Sequence, residues 1–189
     1  MLDNNLGIFE LKPFEQIGDN DWTRFFEVNV MSGVRLARHH QPVMKARGWG
    51  RTVFISSESG ICPPAQMLHY GMNKSAQLSV SRGLAETCID TGVTVNAARP
   101  GPKRTEGVGE FFTKLARDAG HTLVEAERDF FNYARPTSLL QHFIEPAEVA
   151  AMVTCVCSPR SAATKGAALH VEGGVVRSLI QLFNLRCFS

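Results

Sequence analysis

Apolar positions recur at helical spacing in some stretches and gather into short β-rich runs in others. Trp22, Phe25, Phe26, Val30, Val34 and Ala37 recur at helical spacing. The polar run Gly18-Asp19-Asn20-Asp21 ahead of them can cap free N–H groups. A helix is therefore expected to start there and end near Gly48. RTVFIS, residues 51–56, is rich in β-forming side chains and reads as a buried strand. A loop with Gly60, Pro63 and Pro64 leads into a helix over 68–90 that stops near Gly92. VTVNAA (93–98) is the next strand, closed by Pro100-Gly101. The stretch 102–145 is irregular, with helical pieces near 106–118 and 123–133. A helix over 145–158 begins with Pro146 at an early position, where proline is tolerated. GAALHVEGG (166–174) is the last strand. Strands alternating with helices predict an α/β fold, a parallel sheet with helices on both faces.

Length and composition narrow the classes. The 189 residues suit one domain with a sizeable core. Net charge is +2 with no basic stripe, so nucleic acid is not an expected partner. No apolar run reaches the ~18 residues of a membrane span, and the first twenty residues lack the order of a signal peptide. Five irregularly spaced cysteines (62, 88, 155, 157, 187) read as reduced, mostly buried thiols of a cytoplasmic protein. The histidines at 39, 40, 69, 121, 142 and 170 form no H-x-x-x-H or H-E-x-x-H, so no metal site is expected. No G-x-S-x-G elbow supports a serine hydrolase.

The chemistry gathers around YGMNK. Tyr70 and Lys74 stand four apart on a predicted helix and share a face. A free phenol, with a pKa of about 10, is a poor proton carrier at neutral pH. A nearby ammonium favours phenolate, so the pair is a candidate general acid/base. With two tyrosines and six lysines in the chain, the spacing alone is weak. Ser57 lies 13 residues before Tyr70, at a strand end, where a hydroxyl can hydrogen-bond a substrate oxygen. Backbone capping is the commoner fate of such a serine. Asn29 is a polar amide on an apolar stripe and must find partners. A structural role suits it equally well. NNLG (4–7) and PGPKRT (100–105) supply turn positions where a ligand backbone could approach. Ligands of open α/β sheets bind at the carboxyl ends of strands, where these pieces fall.

Taken together the pieces resemble the short-chain dehydrogenase/reductase family. NNLG, Asn29 in FEVNV, ISSESG with Ser57, YGMNK, PGPKRT and EGG follow the family's order from residue 4 to about 178. The resemblance implies a Rossmann-type doubly wound parallel sheet and hydride transfer between NAD or NADP and an alcohol or carbonyl substrate. It implies Tyr70 as general acid/base, Lys74 lowering its pKa and binding the nicotinamide ribose, and Ser57 positioning substrate. Asn29 would complete a proton relay through water. Asn4, Asn5, Gly7, Pro100, Gly101, Lys103 (main chain) and Thr105 would line the cofactor. Residues 102–145 match the family's substrate lid, and helices 20–47 and 68–90 match its oligomer contacts. The aromatic residues Phe111, Phe112, Phe130, Phe131 and Tyr133, with Leu115, are expected to form lid core more than pocket.

The departures matter as much. The family opens with a strand, a Gly-rich turn and a helix that hold diphosphate. This sequence has no such turn, and MLD stands where the family's fourth strand would be. The expected fold is thus a partial Rossmann sheet lacking the first three βα units. Cofactor affinity should fall with the diphosphate site gone. Residues 178–189 run past the family's usual end as an extra tail. The alternative is an inactive truncated member that acts by oligomerising or binding.

Overall fold

A computed structural model describes residues 1–177. Four parallel strands form one sheet in the order β1-β2-β3-β4: β1 Leu2–Asn4, β2 Gly50–Ile55, β3 Val93–Pro100 and β4 Ala168–Val171. Asn4, Phe54, Ala97 and Ala168 line up across it. Every residue of β2 and β3 is buried, as expected of central strands covered on both faces.

The helices are α1 Asp19–Phe26, α2 Ser32–Ala46, α3 Leu68–Glu86, α4 Glu106–Ala119, α5 Leu123–Asp129 and α6 Pro146–Cys157. Side chains alternate across a strand, so β3 feeds two cores. Val93, Val95 and Ala97 pack with Ala37 of α2 and Ala85 of α3. Ala98 packs with Val53, Ile55 and Val156 of α6 on the opposite face. A third cluster, Phe112, Ala116, Ala126, Phe131 and Phe143, holds the 102–145 insert together apart from the sheet. Phe112, Phe130, Phe131 and Phe143 meet there edge-to-face and stacked, at centroid distances of 4.8–5.5 Å. Tyr133 stands exposed outside this cluster. The side chains of Phe111 and Leu115, and the tail 178–189, lie outside the described residues.

One predicted helix differs in detail. A π turn, Glu27–Met31, joins α1 to α2. The buried positions are Phe25, Asn29, Val30, Gly33, Ala37 and Gln41, so Phe25, Val30 and Ala37 lie as expected while Phe26 is exposed. π turns inside helices often mark functional positions, and this one carries Asn29.

The cysteine expectation needs correction. Of the four within the described residues, only Cys88 is buried, against the α2–α3 core. Cys62 sits in the proline-bearing loop and Cys155 on the solvent side of α6, both exposed; Cys157 is intermediate. Cys187 lies outside the described residues. Among those residues no helix is long and apolar enough to cross a membrane, and no His/Cys/Asp/Glu group could hold a metal.

Candidate active site

A cleft of about 480 Å³ opens at the carboxyl ends of β2 and β3. Ser57, Tyr70 and Lys103 line it together with the apolar side chains of Phe9, Phe112 and Phe143. Five segments build it: the stretch after β1 with Phe9 and Leu11, the turn after β2, the start of α3, the loop after β3, and the insert with Phe112, Phe130 and Phe143.

The turn after β2 is held tightly. Ser57 has extended backbone and caps a 3-10 turn, Glu58–Gly60, by accepting Ser59 N–H at 3.1 Å. Its own hydroxyl donates to Glu58 Oε2 at 3.0 Å. Ser56 Oγ donates to the Lys74 carbonyl at 2.7 Å and so ties β2 to α3. Gly60 lies against the Lys74 backbone, where an added Cβ would come within 2.9 Å of the Lys74 carbonyl carbon.

Tyr70 and Lys74 are one turn apart on α3, with Lys74 Nζ 5.5 Å from the Tyr70 ring centroid. The ammonium donates to the Ile55 carbonyl at 2.8 Å and to Gln77 Oε1 at 3.1 Å. Gln77 Nε2 in turn donates to the Asn29 carbonyl. Lys74 and Asn29 are therefore joined through the Gln77 side chain. The Asn29 amide faces elsewhere: Oδ1 accepts Ile8 N–H at 2.8 Å and Nδ2 donates to the Ile8 carbonyl at 3.1 Å.

Burial dominates the electrostatics. It pushes the Tyr70 phenol up to about 12, the Ser57 hydroxyl pulling the other way and the Glu58 charge adding to the rise. Burial also lowers Lys74 to about 8, helped by the like charge of Lys103. The expectation that Lys74 lowers the Tyr70 pKa is thus not met: desolvation of the phenol dominates, and the lowering comes from the Ser57 hydroxyl and not from the cation. The Tyr70 phenol is therefore held in its protonated form at neutral pH.

The remaining predicted positions vary. Asn4 ends β1 with both amide atoms buried and unpartnered, while Asn5 is exposed. A Cβ on Gly7 would stand 3.1 Å from Asn29 Oδ1 and 3.6 Å from Lys74 Nζ, so Gly7 lets the backbone lie close to both groups where a side chain would crowd the Asn29 amide. Pro100 closes β3, with Gly101 next to it. Lys103 bridges Ile144 in parallel fashion through the Pro102 carbonyl and Arg104 N–H. That pattern turns Lys103's own N–H and carbonyl away from Ile144. Thr105 caps α4 by accepting Val108 N–H at 3.4 Å.

Sequence reading missed three site residues. Glu58 is buried, with Oε1 accepting from Arg135 Nε at 2.9 Å and its second oxygen accepting from Ser57 and Ser59. Its signal was adjacency to Ser57 in ISSESG. Gln77 could have been found at three residues past Lys74, on the same face. Arg135 arrives from the insert, and nothing in the local sequence marks it.

A family model described as Enoyl-(Acyl carrier protein) reductase matches residues 1–176. The chain belongs to the short-chain dehydrogenase/reductase family. Among its relatives are two uncharacterized oxidoreductases of Bacillus subtilis (strain 168). YvaG is 48% identical over 95% of this chain and 68% of its own length. YvrD is 44% identical over the same shares. L-sorbose reductase from Gluconobacter frateurii, solved in complex with NADPH and L-sorbose, superposes with a TM-score of 0.87 at 28% identity. That match covers 94% of this chain and 66% of the reductase. A variant of actinorhodin polyketide ketoreductase, solved with NADPH, gives a TM-score of 0.81 at 26% identity, over 92% of this chain and 66% of that one. The chain thus spans about two thirds of the length of these family members.

Proposed function

We propose that this chain carries the proton-handling site of a nicotinamide-dependent oxidoreductase that interconverts a carbonyl compound and its alcohol. The observation that carries the reading is that Ser57 and Tyr70 line one apolar cleft, with the Lys74 ammonium 5.5 Å from the Tyr70 ring centroid behind them. NADPH in the sorbose reductase and ketoreductase structures supports a nicotinamide cofactor.

The residues present fit the nicotinamide end of such a group. Lys74 is the ammonium that would meet ribose hydroxyls, and the backbone at Gly7 passes close to it. Lys103 has a main-chain donor and acceptor not used by Ile144, which suits a carboxamide. Pro100, Gly101 and Thr105 would form the adjoining wall, and Asn4 and Asn5 would stand below it. No glycine-rich phosphate turn occurs in the 189 residues, so these side chains do not account for the diphosphate. When bound, the nicotinamide would supply or take the hydride.

The chain's own work is the proton. Tyr70 is protonated at neutral pH and donates to the substrate oxygen as charge develops there. Ser57, which lines the same cleft, would help to orient that oxygen. Phe9, Phe112 and Phe143 exclude water, and the 102–145 insert acts as a lid. The walls favour a fairly apolar carbonyl substrate. Residues 1–177 form one domain on this reading, and α2 and α3 carry exposed Leu36, Val43, Leu68 and Met72 as oligomer contacts.

The test is a panel of apolar ketones and alcohols with NADH, NADPH and their oxidised forms. Tyr70-dependent turnover is expected, and Tyr70→Phe should abolish it. Turnover that persists in Tyr70→Phe would overturn the reading. The lack of a phosphate turn in these residues favours a second reading, a binding protein without turnover; it would bring no reaction but a stable oligomer on a sizing column.

A further inference from the structure

Gln77 is a buried carboxamide that the proton transfer itself does not use. It lies three residues past Lys74 on α3, on the same face. Its two ends meet different groups. Oε1 accepts from Lys74 Nζ at 3.1 Å, and Nε2 donates to the Asn29 carbonyl of the π turn. An ammonium only donates and a carbonyl only accepts, so a single orientation of the amide satisfies both. The reversed amide would set N–H against N–H and oxygen against oxygen. Asn29, Lys74 and Gln77 are all buried, where unmet polar groups are costly.

Lys74 has three N–H groups. One goes to the Ile55 carbonyl at 2.8 Å and one to Gln77. These acceptors come from the end of β2 and from α3, and two bonds at a tetrahedral nitrogen fix the direction of the third. Among the described residues that third N–H has no hydrogen-bond partner. The Gly7 backbone passes close to Nζ, and the Tyr70 ring stands on the preceding turn.

We propose that Gln77 is a positioning residue: braced on the Asn29 carbonyl, it holds the Lys74 ammonium with one N–H left for a ligand hydroxyl. The identity of that ligand rests on the oxidoreductase reading; the bracing does not. Asn29 acts here through its main chain, while its side chain clasps Ile8. One residue of the π turn thus sets both the segment after β1 and, through Gln77, the ammonium. An apolar residue at 77 would leave Lys74 and the Asn29 carbonyl each one bond short.

The charge of Lys74 depends on the same contact. A hydrogen bond accepted from the ammonium favours the charged form. Burial, and the like charge of Lys103 from the loop after β3, work against it and lower Lys74 to about 8. Tyr70, the titratable group on the preceding turn, keeps its proton through that range. Gln77 therefore limits a fall that burial drives.

The test follows the Lys74 side chain by nuclear magnetic resonance in the full chain with labelled lysine. Its signal is identified by its loss in Lys74→Met. The ratio of ammonium to amine is read through the neutral and mildly alkaline range. Gln77→Met keeps the length and removes the acceptor, so the ratio at a given pH should fall by about tenfold. Gln77→Glu puts a carboxylate oxygen in its place, so the ratio should rise. If Gln77 only fills space, water entering the loosened site of Gln77→Met would raise the ratio instead. A lower ratio in Gln77→Met with a higher one in Gln77→Glu supports the proposal, and any other pair overturns it. If Gln77→Met does not fold, Gln77→Glu decides: a higher ratio supports the proposal, and an unchanged or lower one overturns it. Neither arm needs cofactor or turnover, so the result stands apart from the fate of the oxidoreductase reading.

Discussion

Asn29 and Ile8 are joined by two hydrogen bonds of opposite sense, Ile8 N–H to Oδ1 at 2.8 Å and Nδ2 to the Ile8 carbonyl at 3.1 Å. The amide thereby clasps the segment after β1 and brings it over Lys74. Asn29→Ala would strand a backbone donor and acceptor, at a cost of about 1–3 kcal/mol. Urea denaturation should register the loss. Amide exchange at Ile8 should rise while β2 and β3 stay protected.

The two shifted groups of α3 give stability a pH profile with opposing limbs. Lys74 falls to about 8 in the folded chain, so between pH 8 and 10 the unfolded chain binds more protons and stability rises with pH. Tyr70 rises to about 12, so between pH 10 and 12 the folded chain holds the extra proton and stability falls. Lys74→Met should flatten the first limb and Tyr70→Phe the second. Chemical denaturation across pH 7–12 checks both. A Lys74→Met profile that still rises between pH 8 and 10 would contradict the burial argument.

His69 gives the acid limb. It is fully buried against the Phe25 ring, 4.0 Å between centroids, with neither ring nitrogen partnered. Burial lowers its pKa from 6.5, so stability is lost as pH falls below the unfolded value. His69→Leu should make stability between pH 7 and 5 flatter than in the parent chain.

Gly60 lets the Ser57 turn lie on the Lys74 backbone. An added Cβ would meet backbone within 2.9 Å, which neither side can yield cheaply. Gly60→Ala should cost about 1–3 kcal/mol. Because the strain falls between Ser57 and Lys74, turnover should drop more than thermal stability does.

The helices were legible where apolar positions recur at helical spacing, and β2 and β3 because their short runs are rich in β-forming side chains; β1 was reached only through the family resemblance. The helical pieces of the insert were legible from their spacing too. The π turn was not, since Phe25, Phe26 and Val30 fit an ordinary helix as sequence; only the clasp on Ile8 distinguishes Asn29. Tyr70, Lys74 and Ser57 were found through spacing and family resemblance together. Arg135 was out of reach, because its partner Glu58 lies 77 residues away and tertiary folding alone joins them. The direction of the Tyr70 shift was misread for a related reason. The i, i+4 spacing gives proximity to Lys74, whereas desolvation is set by everything packed around the phenol.

If the cleft receives the nicotinamide end of a cofactor, it should do so without the adenosine half. Nicotinamide mononucleotide, which lacks that half, is the decisive probe. Titrated at millimolar concentration against labelled protein, it should move the amide resonances of Gly101, Lys103 and Thr105, and Lys74→Ala should suppress the shifts. Absence of shifts at these positions, or shifts that persist unchanged in Lys74→Ala, would show that these residues do not receive a nicotinamide.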